Sequence, residues 1–145
     1  MKMIIRSPKT EKEFKNYYQL RWKILREPWN QPKGTEKDDL ERDAFHVMAY
    51  DNSKIIGVGR LQLNSNDEAQ IRYMAVEENY RGKGIGSLIL KELEKKAKLL
   101  GAKYIILNSR INAIKFYEKN SYKIIKKEST LFRSIEHWRM RKNLA

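Results

Sequence analysis

The feature that most constrains this chain is a glycine loop set between a strand-like run and a helix-like one. The apolar run Ile71-Arg72-Tyr73-Met74-Ala75-Val76 leads into Tyr80-Arg81-Gly82-Lys83-Gly84-Ile85-Gly86-Ser87. A segment of helical pattern follows and ends near Gly101. Backbone N–H groups at a helix start have no partner within the helix, and the dipole there favours anions. Glycine lets the chain bend and lets a ligand approach the backbone closely. Arg81 and Lys83 add side-chain charge, so the segment reads as a cradle for a phosphate group. A glycine-rich turn with solvated cations is the plain alternative.

Spacing narrows the choice of ligand. No Walker string G-x-x-x-x-G-K-[ST] occurs. A dinucleotide loop, G-x-G-x-x-G, sits early in a βαβ unit with an acid about 20 residues on. Here the third glycine, Gly86, comes one residue too soon, and the loop lies past the middle of the chain. What remains is Arg-x-x-Gly-x-Gly after a strand, which resembles the acyl-CoA diphosphate loop of the GNAT N-acetyltransferase superfamily. A second segment, Ala113-Ile114-Lys115-Phe116-Tyr117-Glu118-Lys119-Asn120-Ser121-Tyr122, is similar to that superfamily's A-x-x-F-Y-E-K-x-G-F element. It also follows the loop in the right order. Two departures stand out. Ser121 occupies the usual glycine position, and Arg110, seven residues before Tyr117, stands where many members carry asparagine, with Asn108 and Asn112 flanking it.

The resemblance implies a single-domain α/β (α+β) GNAT fold over residues 1–145, with a mixed central sheet of about seven strands flanked by helices. It implies acetyl-CoA as cosubstrate and direct attack by a primary amine in a ternary complex. Met74, Ala75 and Val76 would pair with the pantetheine arm, with the amide of Val76 or Met74 facing the thioester oxygen. Arg81, Gly82, Lys83, Gly84, Ile85, Gly86 and Ser87 would hold the diphosphate, with Asn112, Phe116 and Tyr117 completing the contacts. Tyr117 would also protonate the departing sulfur, although a core aromatic beside Phe116 is its plainer role. Glu77 and His137 are candidates for the base. His46, at the start of an apolar strand, reads as structural.

Two further stretches resemble bacterial members. Leu20 to Pro28 is similar to an R-x-x-V-L-R-x-P entry, and Ile135 to Met140 to the I-P-H-x-x-M ending of the ElaA-like branch. In those relatives the loop and an acidic patch border the acceptor cleft. Glu36 to Asp43 would then suit a cationic acceptor, either a small amine or a lysine-bearing one; a solvated acidic turn is the alternative.

Composition bounds the rest. The 145 residues fit one domain with a real core. The absence of cysteine excludes disulfides and thiol catalysis, and two histidines are too few for a His-rich metal site, so no metal is expected. No apolar run approaches the roughly 20 residues of a membrane span, and Met1 to Ser7 lacks a signal-peptide core and reads as a strand. A cytoplasmic protein is the expectation. The net charge of +13, from 31 Lys+Arg against 18 Asp+Glu, favours polyanions. Coenzyme A is one such partner. A basic nucleic-acid-binding module is the competing function, with Trp29 and Trp138 as stacking residues, but no nucleic-acid signature is present and nucleic acid is the less expected partner. An acyl-CoA-binding sensor without turnover is a third reading. The resemblance also allows a homodimer through the last strands.

Periodicity predicts the element order. A strand over Met3–Arg6 precedes a helix capped by Thr10 and ended by Pro28, with Trp29 exposed. Glu36–Asp43 is expected to hold a short helix. Strands over Phe45–Tyr50, Lys54–Leu63 and Ala69–Val76 form an antiparallel meander. A helix from Ile85 to Leu100 leads to a parallel strand at Lys103–Leu107. A helix over Asn112–Lys119 and strands over Tyr122–Lys126 and Ile135–Arg141 complete the chain.

Overall fold

Thr10 starts the first helix by accepting a hydrogen bond at Oγ1 from the Glu13 amide at 3.1 Å. Glu13 reaches back to the Lys9 amide at 2.8 Å and pairs with Arg6 at 2.6 Å, which ties this helix to the first strand. The computed structural model describes residues 3–132 and 134–144. Its order is β1 (Met3–Arg6), α1 (Glu11–Leu25), β2 (Phe45–Asp51), β3 (Lys54–Leu63), β4 (Glu68–Val76), α2 (Ile85–Leu99), β5 (Tyr104–Arg110), α3 (Ile114–Lys119), β6 (Lys123–Lys127) and β7 (His137–Asn143). The seven strands form one mixed sheet in the order β1-β2-β3-β4-β5-β7-β6. Only β4–β5 is a parallel pair.

Helices cover both faces. On one, Ile85, Ile89, Leu90, Leu93 and Ala97 of α2 pack on Val47, Ile56, Leu61, Ile71 and Leu107 of the sheet, with Tyr117 and Tyr122 in the same cluster. On the other, Tyr17, Leu20 and Leu25 of α1 pack on Met48, Ile55, Val58 and Ala75. Two glycines set the approach of α2. A Cβ at Gly57 would lie 2.7 Å from Ile89, and one at Gly59 would lie 2.7 Å from Met74 and 2.9 Å from both Ile89 and Leu93.

Several boundaries differ from the sequence expectation. Helix α1 stops at Leu25, and Pro28 sits inside a 3-10 turn, Glu27–Trp29, where its missing N–H costs nothing. Glu36–Asp43 forms turns rather than a helix, because its acids are drawn to buried arginines. Trp29 is half-buried, with the Arg110 guanidinium 4.5 Å above its ring. Strand β5 runs on to Arg110, a 3-10 turn (Ile111–Ala113) precedes α3, and β7 extends to Asn143.

Candidate active site

The pairing of β4 with β3 shifts register. Val58 pairs with Ala75 and Arg60 with Arg72, so Gly59 alone faces both Tyr73 and Met74. This is a β-bulge. Tyr73 takes a left-handed φ of 57°, a conformation that costs a non-glycine residue about 1–2 kcal/mol. The bulge reverses the strand's faces. Ile71 packs on the α2 side and Ala75 on the α1 side, while Met74 and Val76 turn back toward α2.

Beyond the bulge β4 loses its neighbour. Its pairing with β5 ends at Ile71–Leu107, although both strands continue, to Val76 and Arg110. The Glu77 amide donates to the Ile56 carbonyl at 2.7 Å. Alternation along a strand then directs the Val76 amide and carbonyl away from β3, into the gap left by β5. Arg81 Nε donates to that carbonyl at 3.1 Å, and the Val76 amide meets no acceptor among the described residues.

The glycine loop opens α2 at the same edge. Gly82 and Gly84 hold φ values of 75° and 82° with open space around them, so both need glycine's freedom and neither is packed. The amides of residues 82–87 meet no acceptor among the described residues. Gly86 has a different reason to be glycine: a Cβ there would lie 3.0 Å from Phe116 Cζ. Asn120 Nδ2 donates to Ser87 Oγ at 3.3 Å and to the Phe116 carbonyl at 2.9 Å, which locks α3 to the start of α2. Ser121 adopts φ 74°, the conformation that glycine supplies in the similar family element. Ile85 sends its side chain into the core while its amide belongs to the loop.

The gap opens into a cleft of about 280 Å³ lined by Met74, Tyr117 and His137 among others. Tyr117 is buried, and burial pushes its hydroxyl pKa well above the usual tyrosine range. It is therefore protonated and a donor. His137 Nδ1 lies 3.1 Å from the Ile135 carbonyl. A carbonyl only accepts, so this nitrogen carries the proton and Nε2 keeps a lone pair. Burial first, then the charges of Arg110 and Arg26, hold the His137 pKa below its ordinary value despite that hydrogen bond. A neutral imidazole thus lines the cleft.

Other sequence candidates lie elsewhere. Glu77 does not line the cleft; its carboxylate pairs with Lys23 at 3.2 Å. Asn112 is exposed on the turn before α3 and also does not line it. His46 is structural: its Nε2 donates to the Glu41 carbonyl at 2.7 Å, and its Nδ1 lies 3.0 Å from the Tyr17 hydroxyl.

Within the acidic patch Asp39 and Asp43 are exposed and do not line the cleft, whereas Asp38 and Glu41 are held by arginines. Asp38 receives Arg60 at 2.6 Å and Arg72 at 2.9 Å, and Glu41 receives Arg60 at 2.7 Å and Arg21 at 2.9 Å. Arg21 and Arg60 are fully buried. Burial alone would raise the Asp38 pKa, but the Arg60 hydrogen bonds, the Leu40 amide and the Arg72 charge hold it at about 2. The guanidinium carbons of Arg21, Arg72 and Arg60 stand 4.2, 4.7 and 4.9 Å from the centre of the Tyr73 ring. The network thereby braces the bulged residue. Sequence reasoning missed this bulge and Arg72 and gave Arg26 no role of its own; the signals were Gly59 opposite the apolar run, the Leu20 to Pro28 stretch that carries Arg26, and the unusual Arg110.

Comparison with known proteins agrees with this geometry. The Acetyltransferase (GNAT) family pattern matches residues 14–122. The uncharacterized N-acetyltransferase YjcF of Bacillus subtilis is 32% identical over 143 residues, covering 99% of this chain and all of that protein. Among solved structures, Escherichia coli ElaA superposes with a TM-score of 0.80 at 20% identity, over 99% of this chain and 100% of that one. A GNAT family acetyltransferase from Elizabethkingia anophelis, solved with acetyl-CoA bound, gives a TM-score of 0.81 at 18% identity, over 98% of each chain.

Proposed function

This chain belongs to the acetyltransferase (GNAT) family, and on that premise we propose that it moves an acetyl group directly to a primary amine within a ternary complex. It is an acyltransferase with acetyl-CoA as cosubstrate. The observation that carries the reading is the parting of β4 from β5 after Ile71–Leu107, beside the unpaired amides of residues 82–87.

The residues present fit the cosubstrate. An open strand edge at Met74–Val76 suits an amide-bearing arm that adds as an extra strand. The loop amides, with Arg81 and Lys83, suit a diphosphate. When bound, acetyl-CoA supplies an acyl group activated by a good thiolate leaving group. The chain supplies the rest. The Val76 amide, fixed by its neighbour's bond to Ile56, would stabilise negative charge developing on the acyl oxygen. The Tyr117 hydroxyl would give its proton to the departing sulfur, and His137 Nε2 would take the proton of the attacking amine. Glu77 is committed to Lys23, which leaves His137 as the better-placed base.

Calorimetry with acetyl-CoA and a thiol-release assay across an amine panel test the proposal. Micromolar binding and amine-dependent thiol release are expected. Absence of binding at millimolar acetyl-CoA overturns it. Binding without thiol release from any amine would instead make the protein a sensor.

A further inference from the structure

The cleft has a charge imbalance that transfer chemistry alone does not require. Its charged lining residues are Arg26, Arg72, Arg110 and Glu128, with His137, Tyr73 and Tyr117 as the other titratable groups. Arg72 is paired with Asp38 at 2.9 Å, and Glu128 with Lys126 and Arg139 at 3.4 and 3.5 Å. Arg26 and Arg110 make no ion pair among the described residues. Their bonds go only to carbonyls: Arg26 Nε to Thr35 at 3.0 Å, Arg26 Nη1 to Leu25 at 2.9 Å, and Arg110 Nη2 to the same Leu25 oxygen at 3.2 Å.

Two guanidiniums therefore converge on one carbonyl at the end of α1. Arg26 Nη2 and Arg110 Nε and Nη1 meet no acceptor among the described residues. Arg110 is further oriented by the Trp29 ring 4.5 Å below it. Burial, then the nearby Arg26 charge, brings the Arg110 pKa down to about 10. Keeping two like charges together, partly buried and with no carboxylate in contact among the described residues beyond the longer-range pull of Glu36 on Arg26, is unfavourable unless an anion completes the site.

Building on the acetyltransferase reading, we propose that Arg26 and Arg110 bind an anionic group carried by the acceptor, so that the substrate is a small amine bearing a carboxylate or a phosphate. The guanidinium fork suits either anion in a bidentate grip. The same cations would favour the neutral amine over its ammonium form, and attack on the thioester needs the neutral form. The cleft size of about 280 Å³ suits a small molecule. This reverses the expectation of a cationic acceptor drawn from the acidic patch, whose Asp38 and Glu41 are neutralised by arginines.

The test compares kcat/KM for thiol release with acetyl-CoA and three amine classes of matched length: ω-amino carboxylates, aminoalkyl phosphates, and diamines with neutral monoamines. One or both anionic classes should exceed the third by about 10–100-fold, the range expected from charge-assisted hydrogen bonds. Which anionic class leads tells carboxylate from phosphate. Arg26→Gln and Arg110→Gln should each raise the anionic acceptor's KM by about 10-fold or more and leave acetyl-CoA affinity, read by calorimetry, within about twofold. Arg110→Glu should shift preference toward diamines. Preference for diamines by the unaltered protein overturns this inference and leaves the acetyltransferase reading intact. So does loss of acetyl-CoA binding in the glutamine variants, which would assign these arginines to the cosubstrate. Failure of the unaltered protein to bind acetyl-CoA overturns both.

Discussion

At the scale of single residues, roles follow from what each side chain is left free to do. Tyr117 is buried and holds its proton, so it is a donor. Tyr117→Phe should lower kcat by about 10²-fold, within the range for a lost general acid, while calorimetry finds acetyl-CoA affinity unchanged. An unchanged kcat would show that water protonates the sulfur. His137 acts as a base only when neutral, and its pKa is held below the ordinary 6.5. The acidic limb of kcat, read at saturating amine, should therefore be centred below 6.5. In His137→Gln that acidic limb should vanish along with most of the rate. A limb centred at or above 6.5 in the unaltered protein would contradict the assignment. Gly84 combines a positive φ with open surroundings, so Gly84→Asp adds strain and a negative charge where the proposed function puts the diphosphate. Acetyl-CoA binding should fall by at least about 10-fold, while the circular dichroism spectrum remains that of the parent.

At the scale of elements, the network around Asp38 joins the loop after α1 to β3 and β4. Asp38→Asn leaves two arginines short of a counter-charge and should cost roughly 2–3 kcal/mol, read by urea denaturation. The Asp38 pKa is depressed to about 2. Its stabilising effect is thus complete above the unfolded carboxyl value near 4 and is lost as pH falls from about 4 toward 2. Acid unfolding in that window should flatten in Asp38→Asn. These elements also mark where sequence reading succeeds and where it stops. The glycine loop, the capping residue Thr10 and the stripe of α2 announce themselves through local chemistry and spacing. The bulge does not. Tyr73-Met74-Ala75-Val76 reads as any buried strand, and nothing about tyrosine predicts a left-handed φ. The fate of Glu36–Asp43 was equally hidden, because its partners Arg21, Arg60 and Arg72 come from three other elements. Pairings of that kind are set by tertiary packing, not by neighbours in the chain.

At the scale of the whole molecule, the net charge of +13 suits the polyanionic cosubstrate. Association with acetyl-CoA should slow as salt is raised from about 0.05 to 0.5 M, because screening shortens the reach of that field. Stopped-flow binding traces across that range measure it, and a salt-independent association rate would show that the excess charge is unrelated to the ligand. The sheet places β4 and β5 at its middle and β6, with Lys123, Lys126 and Lys127, at its edge. The cleft therefore lies at the interior seam, where both faces are covered by helices. One contact across that seam has a wider consequence. The Phe116 ring abuts Gly86 at one end and stands 5.0 Å from the Tyr117 ring at the other. Under the proposed binding mode, a push on the diphosphate end of the groove would be geared, through this aromatic pair, to the hydroxyl at the sulfur end. Fragments of the carrier that fill only its nucleotide half would then be sensed where the acyl group is cleaved, and a bulkier residue 86 would jam both ends at once.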